Sequence, residues 1–410
     1  MSKTILYVLL AAVALIAAIV AGLYVFGQNS EELANDMSRD MQTRAMPELP
    51  VSTPAAPIPG AAGQAKQFAG REVTVVSWGS AYTRSQIEAY HKPFAAQTGA
   101  KVASIDYNGG IAQIKTQVDS NTQFWDVVDM EVADAVRACD EGLLEKIDPA
   151  MLPPAYDGTP AMQDFIPNAI QPCSVTTIIF SHVVAFDTTK FPADKQPSTL
   201  ADFFDTAKFP GKRGLRKTSP KINLEMALRA AGVAGPDVYA TLATPEGQAK
   251  AFAQLDKIRK DVLWWETGAQ PPQLLADGEV AMTTGYNGRF FDAQIVEKKP
   301  FKIIWDGQIQ EHDVLGIVKG AKNKDVALEF IRFATGTVPL AEQARFIAYG
   351  PARRSSLPLV SIHATAGVDM KPHMPNAPEN ETNAMQVDAA WWAEYQEELN
   401  LRWAAWLARG

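Results

Sequence analysis

Residues 71–110 read REVTVVSWGS AYTRSQIEAY HKPFAAQTGA KVASIDYNGG and predict a helix between two strands. The run at 73–77 is rich in β-branched side chains, which favour a strand. The apolar residues of 83–98 recur at helical spacing, and Gly99 fits the end of that helix. Residues 101–107 are strand-like again. This βαβ unit predicts an α/β fold.

The alternation of strands and helices continues beyond this unit. A helix after Gly110, a strand at 125–128 and a helix ending near Gly142 complete a βαβαβα series, the pattern of a mostly parallel sheet covered on both faces. Further strands are predicted at 176–186, 279–284, 302–305 and 314–318, and further helices from Thr199, near 223–231, at 245–259 and at 323–334. Two similar units joined by long strands predict two lobes with a ligand cleft between them.

The composition of the 410-residue chain excludes several classes of protein. With 47% apolar and 20% charged residues, it has ample material for large cores and is not disordered throughout. The 46 acidic against 38 basic residues argue against nucleic-acid binding, which needs a basic face. Two cysteines are too few for a disulfide scaffold, and the five histidines have no metal-ligand spacing. We therefore expect no metal and no cofactor.

The N-terminal segment predicts export. Residues 5–26 carry no charge, and at about 1.5 Å per residue such a helix reaches roughly 33 Å, enough to cross a bilayer. We interpret residues 1–26 as a transmembrane anchor, with a cleaved signal segment as the alternative. Residues 27–70 are rich in Pro and Ala and are interpreted as a flexible tether. The folded body would then lie in the periplasm, anchored to the cytoplasmic membrane or, after cleavage, free.

Export also bears on the two cysteines. In an oxidising compartment Cys139 and Cys173 can pair and close a loop of about 35 residues, and we expect this disulfide. Two unpaired buried thiols are the alternative.

The last predicted helix, at 391–407, carries a stripe of large side chains at helical spacing. The stripe comprises Trp391, Tyr395, Leu399, Trp403 and Trp406. We expect it to pack against the body, with a face for a partner protein as the alternative.

Motifs of catalysis are missing from the sequence. It contains no Gly-x-Ser-x-Gly elbow of a serine hydrolase and no phosphate-binding P-loop. We expect a protein that is not an enzyme. An exported hydrolase that uses a pair of carboxylates in the cleft is the alternative.

Several motifs occur in an order and spacing typical of a known family. They are Trp78-Gly-Ser-Ala-Tyr82, Trp125-Asp-Val-Val128 leading into 140–148, 210–214, 278–280 before Tyr286-Asn-Gly288, and 322–324 before an amphipathic helix. From residue 71 to about residue 360, the chain resembles the extracellular solute-binding proteins of ABC importers, of the spermidine/putrescine-binding type.

The resemblance implies a two-lobed α/β periplasmic binding protein of type II with hinged lobes. Lobe 1 would comprise residues 71–177 and 312–348, and lobe 2 residues 178–311 and 349–410 with the C-terminal helix. Such a protein is a monomer that captures a small amine-bearing solute between its lobes and delivers it to the permease subunits of an ABC importer. A tethered ligand sensor on the same fold is an alternative.

The resemblance also implies which residues contact the solute. A diammonium ligand needs carboxylates at its ends and aromatic faces along its methylene chain. The positions that match the family's ligand shell are Trp78, Tyr82, Tyr286 and Asp313, with Trp264, Trp265 and Glu266 near a further aromatic position of the family.

The sequence departs from the polyamine pattern at several places, among them the spacing of Trp78 and Tyr82, which is one residue longer than usual. Arg289 stands where polyamine binders carry an acid. Lys221 and Ile222 stand where they carry Glu, and Ala133 replaces a Tyr. An arginine beside a buried ammonium would be strongly unfavourable, whereas an arginine suits a carboxylate, which it can hold with two parallel hydrogen bonds.

We therefore hypothesise a solute with both an amine and an acid group, such as an amino acid or an opine-like zwitterion. Its amine would bind Asp313 or Glu225, and its acid group would face Arg289. The alternative is a conventional diamine site with Arg289 pointing to solvent.

Overall fold

One mixed sheet forms the framework of the computed structural model, which describes residues 67–409. Its strands in that part of the chain are β1 Glu72–Ser77, β2 Lys101–Asp106, β3 Val127–Glu131, β4 Ile170–Gln171, β5 Ser174–Asp187, β6 Arg213–Arg216, β7 Val262–Trp265, β8 Met282–Tyr286, β9 Phe301–Ile317, β10 Gly350–Pro351 and β11 Met385–Gln386. The predicted anchor at 1–26 and most of the predicted tether at 27–70 lie outside the described residues. Within residues 67–409, no helix is both long enough and apolar enough to cross a membrane.

The sheet is parallel at its two ends and antiparallel in its centre. Its main path runs β2-β1-β3-β9-β5-β8-β6-β7. Strand β1 pairs in parallel with β2 and β3, and β6 pairs in parallel with β7 and β8. The junctions β3–β9, β9–β5 and β5–β8 are antiparallel. The prediction of parallel βαβ units therefore holds at the ends, whereas the prediction of a mostly parallel sheet is wrong for the centre.

Strands β5 and β9 connect the two parallel parts of the sheet. They pair antiparallel from Ser174↔Gly316 to Asp187↔Phe301, with two shifts of register on the way. The C-terminal part of β9 also pairs with β3, and the C-terminal part of β5 also pairs with β8. Both long strands therefore belong to both parts of the sheet.

Strand β9 differs from its prediction because its middle is polar. The sequence predicts two strands at 302–305 and 314–318, whereas the structure has one strand of 17 residues. Gln308 and Glu311 interrupt the apolar pattern, yet each is only 1% exposed. Both side chains have partners far away in the chain, which satisfy their buried polar atoms. The local sequence pattern does not reveal such partners.

The α-helices lie between the strands along the chain, except the last one, which follows β11. They are α1 Ser80–Gln86, α2 Lys92–Thr98, α3 Ala112–Asp119, α4 Val132–Asp140, α5 Ala161–Asp164, α6 Leu200–Phe204, α7 Lys221–Ala230, α8 Val238–Leu242, α9 Pro245–Asp256, α10 Gln270–Ala276, α11 Asn287–Phe291, α12 Lys324–Ala334, α13 Thr337–Gln343 and α14 Ala389–Leu407. A π-helical segment at Ile87–His91 joins α1 to α2, so the predicted helix at 83–98 is continuous. It ends at Gly99, whose φ of 77° favours a glycine.

The C-terminal helix α14 packs against the body, which confirms the prediction for the tail. Trp392, Leu399, Trp403 and Trp406 are buried in a core that they share with α6, α7, α8 and α9. The indole N–H of Trp403 donates to the carbonyl oxygen of Lys217 at 2.7 Å. Buried tryptophans of this kind contribute a large apolar area and still satisfy their N–H groups.

Cys139 and Cys173 form the predicted disulfide, with 5.8 Å between their Cα atoms. Cys139 lies near the end of α4, and Cys173 directly precedes β5. The disulfide therefore fixes a helix of the first parallel unit to the start of a connecting strand.

Candidate solute-binding site

A cleft that is partly open to solvent lies where strands from both parallel parts of the sheet end. Its lining comprises Trp78, Tyr82, Tyr107, Asn108, Glu131, Phe180, Arg216, Glu266, Thr267, Gly268, Tyr286, Arg289, Asp313 and Tyr349. Glu131, Arg216 and Tyr286 are the last residues of β3, β6 and β8. Carboxyl ends of parallel strands are the usual place for ligands in α/β sheets.

Aromatic rings form much of the wall of the cleft. The rings of Trp78 and Tyr107 lie 5.0 Å apart, measured between centroids. Those of Tyr82 and Tyr349 lie 5.5 Å apart in an edge-to-face arrangement. Tyr286 adds a further ring to the lining. Such a wall can contact methylene groups and can also attract a cation over a ring face.

Asp313 is a buried carboxylate without an ionic partner in residues 67–409. It is 5% exposed, and its Oδ1 has no hydrogen-bond partner among the described residues. Burial, followed by the charges of Asp129 and Glu131, raises the pKa of Asp313 well above its usual range. A carboxyl group in this state would be stabilised in its charged form by an ammonium group in the cleft.

Glu131 lies directly opposite Asp313 on the neighbouring strand but has two ionic partners. Its Oε1 accepts from Arg216 Nη1 at 2.9 Å, and its Oε2 accepts from Lys221 Nζ at 2.6 Å. Burial alone would raise the pKa of Glu131, but the charges of Lys221 and Arg216 hold it well below its usual range. Glu131 is therefore ionised and already neutralised by the protein.

Lys221 bridges two carboxylates in the interior. Besides Glu131, its ammonium group donates to Glu311, whose other oxygen lies 3.2 Å from His182 Nε2. Burial lowers the pKa of His182, against the opposing effect of Glu311. Oxygen and nitrogen atoms of Glu131, His182 and Glu311 lie within 4.8 Å of one another, an arrangement that could hold a metal ion. The Lys221 ammonium supplies a positive charge to the two acids instead.

Arg289 is the positive counterpart of Asp313. It is 6% exposed, which contradicts the alternative that it points to solvent. Its Nη2 donates to the carbonyl oxygen of Trp78 at 3.0 Å, and its Nη1 has no hydrogen-bond partner among the described residues. The guanidinium carbon lies 5.9 Å from the ring centroid of Tyr286. A carboxylate of a solute could occupy the free donor of Arg289.

The charges of the cleft can be sorted by their partners. Arg216 pairs with Glu131, and Glu266 pairs with Lys217 at 3.0 Å near solvent. Among the charged lining residues that the structure describes, Asp313 and Arg289 alone have no ion pair. The cleft therefore offers one acidic side chain and one guanidinium that have no ion pair among the described residues.

Most of the predicted contact residues meet in this cleft. The lining includes Trp78, Tyr82, Glu266, Tyr286, Arg289 and Asp313. Trp265 lies behind the wall, with its ring 5.9 Å from that of Tyr286 and only 2% exposed. Trp264 packs edge-on against Trp403 and Trp406 of α14, away from the lining.

Glu225 is not part of the cleft either. It is fully buried in α7, where its Oε1 accepts from the Tyr239 hydroxyl at 2.7 Å and from Trp392 Nε1 at 2.5 Å. The sequence could not exclude Glu225, because its two partners come from α8 and α14. The proposed amine contact therefore falls to Asp313.

The sequence analysis missed several lining residues. They are Tyr107, Asn108, Glu131, Phe180, Arg216, Thr267, Gly268 and Tyr349. Tyr107 and Asn108 stand at the end of the predicted strand at 101–107, so the rule that ligands bind at the carboxyl ends of strands could have found them. Thr267 follows β7, a strand that the sequence analysis does not predict. Tyr349 comes from a loop between α13 and β10, and no signal in the sequence marks it.

Comparison with known proteins identifies the family. Residues 89–376 match the family described as bacterial extracellular solute-binding protein. The chain belongs to this family. It is an extracytoplasmic solute-binding component of an ABC transporter, and its relatives are binding proteins rather than enzymes, which confirms the prediction of a non-enzymatic receptor. The comparisons do not support the hydrolase alternative.

Three similar proteins indicate the range of the family. The gamma-aminobutyric acid-binding protein of Pseudomonas aeruginosa is 41% identical over 345 residues, covering 84% of this chain and 93% of its own. The spermidine/putrescine-binding periplasmic protein of Salmonella typhimurium is 26% identical over 315 residues, covering 75% and 86%. MotA from A. tumefaciens B6, whose structure in complex with glucopine is known, is 28% identical in sequence. The two structures superpose with a TM-score of 0.74, covering 82% of this chain and 99% of MotA.

These relatives correct one expectation and confirm another. The resemblance to the spermidine/putrescine-binding type is distant, so that part of the prediction was too narrow. The two-lobed α/β fold of a periplasmic binding protein is confirmed.

Proposed function

We propose that this protein captures a small zwitterion with an amine at one end and a carboxylate at the other, such as gamma-aminobutyrate, and delivers it to a membrane permease. One observation carries the proposal. The cleft holds one buried acid, Asp313, and one buried guanidinium, Arg289, that have no ionic partner in the part of the chain that the structure describes. A zwitterion neutralises both groups, whereas a ligand of a single charge neutralises only one.

The amine is assigned to Asp313. An ammonium group donates charge-assisted hydrogen bonds to a carboxylate, and it lowers the raised pKa of the buried acid by compensating its charge. The rings of Trp78 and Tyr286 in the same lining favour a nearby cation and the methylene groups of its chain.

The carboxylate is assigned to Arg289. Its guanidinium is held by the Trp78 carbonyl through one nitrogen, which leaves Nη1 for the ligand. A diamine would instead place a second positive charge in the cleft and would leave Arg289 without an anion. The proposal therefore favours an amino acid over a polyamine.

Two relatives support this choice of solute. The relative with 41% identity is named for gamma-aminobutyric acid, and a structure with 28% identity holds glucopine. The relative named for spermidine and putrescine has 26% identity.

Capture is proposed to work by closure of two hinged lobes. The proposed lobes are residues 71–177 with 312–348, and residues 178–311 with 349–410. The long strands β5 and β9 pass between them and are suited to bend, because they are the shared elements of both parts of the sheet. The uncharged run at 5–26 supports the further proposal that the protein is anchored to the cytoplasmic membrane.

Isothermal titration calorimetry of the purified full chain tests the proposal. Gamma-aminobutyrate is expected to bind, and putrescine and spermidine are expected to bind far more weakly. Tight binding of putrescine together with no heat of binding for gamma-aminobutyrate would contradict it.

A further inference from the structure

The two acids that face each other across β3 and β9 are not equivalent. Asp313 keeps a free oxygen, whereas both oxygens of Glu131 are occupied by cations of the protein itself. The two cations are buried as well, since Arg216 is 8% exposed and Lys221 is 2% exposed. Glu131 lines the cleft, but each of its oxygens already accepts from a cation of the protein, so its charge is neutralised without a ligand.

The network behind Glu131 is balanced in charge. Arg216 and Lys221 contribute two positive charges, and Glu131 and Glu311 contribute two negative charges. His182 adds no charge, because burial keeps its pKa low. The Lys221 ammonium bonds to two of the three side chains that could otherwise hold a metal ion. The cluster of Glu131, His182 and Glu311 thus already contains a cation, the Lys221 ammonium group.

We infer that Arg216 and Lys221 determine specificity by acting as built-in cations that neutralise Glu131, so that the cleft accepts a solute with one ammonium group and rejects a solute with two. The inference rests on the proposed function, whose ligand has a single amine. It goes beyond that function by naming two residues that act against diamines in addition to Arg289.

The position of Glu131 gives the inference its physical basis. Directly opposed residues on antiparallel strands have Cβ atoms about 4.5–5.5 Å apart, so a ligand ammonium on Asp313 lies beside Glu131. A second ammonium that reached Glu131 would compete with Arg216 and Lys221 for its negative charge. It would also be repelled by the positive charge of Arg216, which lines the cleft.

A triple variant tests whether freeing Glu131 creates a second ammonium site. In Arg216→Gln/Lys221→Met/Glu311→Gln, Glu131 is the one charge left in the network, and Glu311→Gln avoids a second unpaired buried acid. Calorimetry is expected to show putrescine binding at least about tenfold more tightly than to the wild type, the effect of one charged hydrogen bond. Unchanged putrescine affinity of a variant that unfolds cooperatively would overturn the inference.

Lys217→Met is the matched control. It also removes a lysine from an acid of the cleft, Glu266, but that pair is more than half exposed on both sides. Water already screens Glu266, so the control is expected to leave putrescine affinity unchanged. A tenfold gain in this control as well would overturn the inference, because any loss of positive charge would then suffice.

The opposite change keeps the inference testable if the triple variant does not fold. Glu131→Gln leaves Arg216 without its anion, and Lys221 keeps Glu311. The affinity ratio of L-glutamate to gamma-aminobutyrate is then expected to rise about tenfold or more, because glutamate carries an additional carboxylate for Arg216. An unchanged ratio would overturn the inference.

These measurements separate the inference from the proposed function. If the wild type binds no gamma-aminobutyrate but the variants shift toward putrescine and glutamate as stated, the proposed solute is wrong and the inference stands. If the wild type binds gamma-aminobutyrate and neither variant shifts its preference, the inference is wrong and the proposed function stands.

Discussion

Glu131 and Asp313 face each other across the antiparallel strands β3 and β9, yet the pKa of Glu131 is lowered and that of Asp313 is raised. Like charges in directly opposite positions destabilise a sheet. Arg216 and Lys221 neutralise Glu131 and so relieve the repulsion between the two acids. Asp313 has no such cation among the described residues. This asymmetry marks Asp313 as the acid that a ligand completes.

Removal of the Arg289 guanidinium is expected to weaken binding of gamma-aminobutyrate by at least about 30-fold, the effect of losing one partner of a buried charged pair. Arg289→Ala should show this loss in calorimetry. Arg84→Ala is the control, because Arg84 is 65% exposed and pairs with Asp292 at the surface. Equal losses in both variants would contradict a specific contact between Arg289 and the ligand.

Asp313→Asn is expected to abolish amine binding and to stabilise the ligand-free protein. Burial raises the pKa of Asp313, so the folded state holds a proton that the unfolded chain releases above about pH 3.9. The corresponding stability is present below that pH and is lost as the pH rises toward the raised pKa.

Thermal unfolding of wild type and Asp313→Asn between pH 4 and pH 9 checks this. The melting temperature of the variant should exceed that of the wild type increasingly as the pH rises. A variant that melts lower than the wild type at every pH would show that the carboxyl group is structural.

Binding of an amine is also expected to release a proton. A ligand ammonium favours the ionised form of Asp313, so the carboxyl proton leaves where the raised pKa lies above the working pH. Affinity should then rise with pH in that window. Calorimetry at pH 7 in phosphate and in Tris, which differ in ionisation heat, should give different apparent enthalpies. Equal enthalpies in both buffers would indicate that Asp313 is already ionised.

Glu225→Gln separates the interior acid from the cleft. Glu225 lies outside the lining, so affinity for gamma-aminobutyrate should stay within about twofold of the wild type. Burial raises the pKa of Glu225 to about 8. The wild type therefore loses stability as the pH rises from the ordinary pKa of a glutamate side chain to about 8. Gln does not titrate and retains the Oε1 acceptor for Tyr239 and Trp392. The melting temperature of the variant should therefore exceed that of the wild type by more at pH 9 than at pH 6. A clear loss of affinity for gamma-aminobutyrate in the variant would instead show that Glu225 contacts the ligand.

The local elements were predictable from the sequence, but the connecting strands were only partly so. The patterns at 73–77 and 323–334 predict β1 and α12, whose apolar side chains are largely buried. The strand-like run at 101–107 predicts β2, an edge strand that has no buried residue. The sequence predicts two strands in place of β9, because Gln308 and Glu311 are polar and are buried only through partners elsewhere in the chain.

The same limit applies to the site. The sequence identifies Asp313 because it matches a ligand position of the family that the chain resembles. It identifies Arg289 because an arginine stands where polyamine binders carry an acid. The pairing of Glu131 with Lys221 could not be identified, because the two residues are 90 positions apart and meet through the tertiary fold. The sequence shows that Lys221 departs from the polyamine pattern, but the role of this lysine depends on the acids that surround it in the fold.

A crystal structure of the full chain with gamma-aminobutyrate tests the central claim most directly. The account predicts the ligand nitrogen within hydrogen-bond distance of Asp313 and the ligand carboxylate on Arg289, with the side chains of Trp78 and Tyr286 along the methylene groups. A ligand bound in the reverse orientation, or bound outside this cleft, would contradict it.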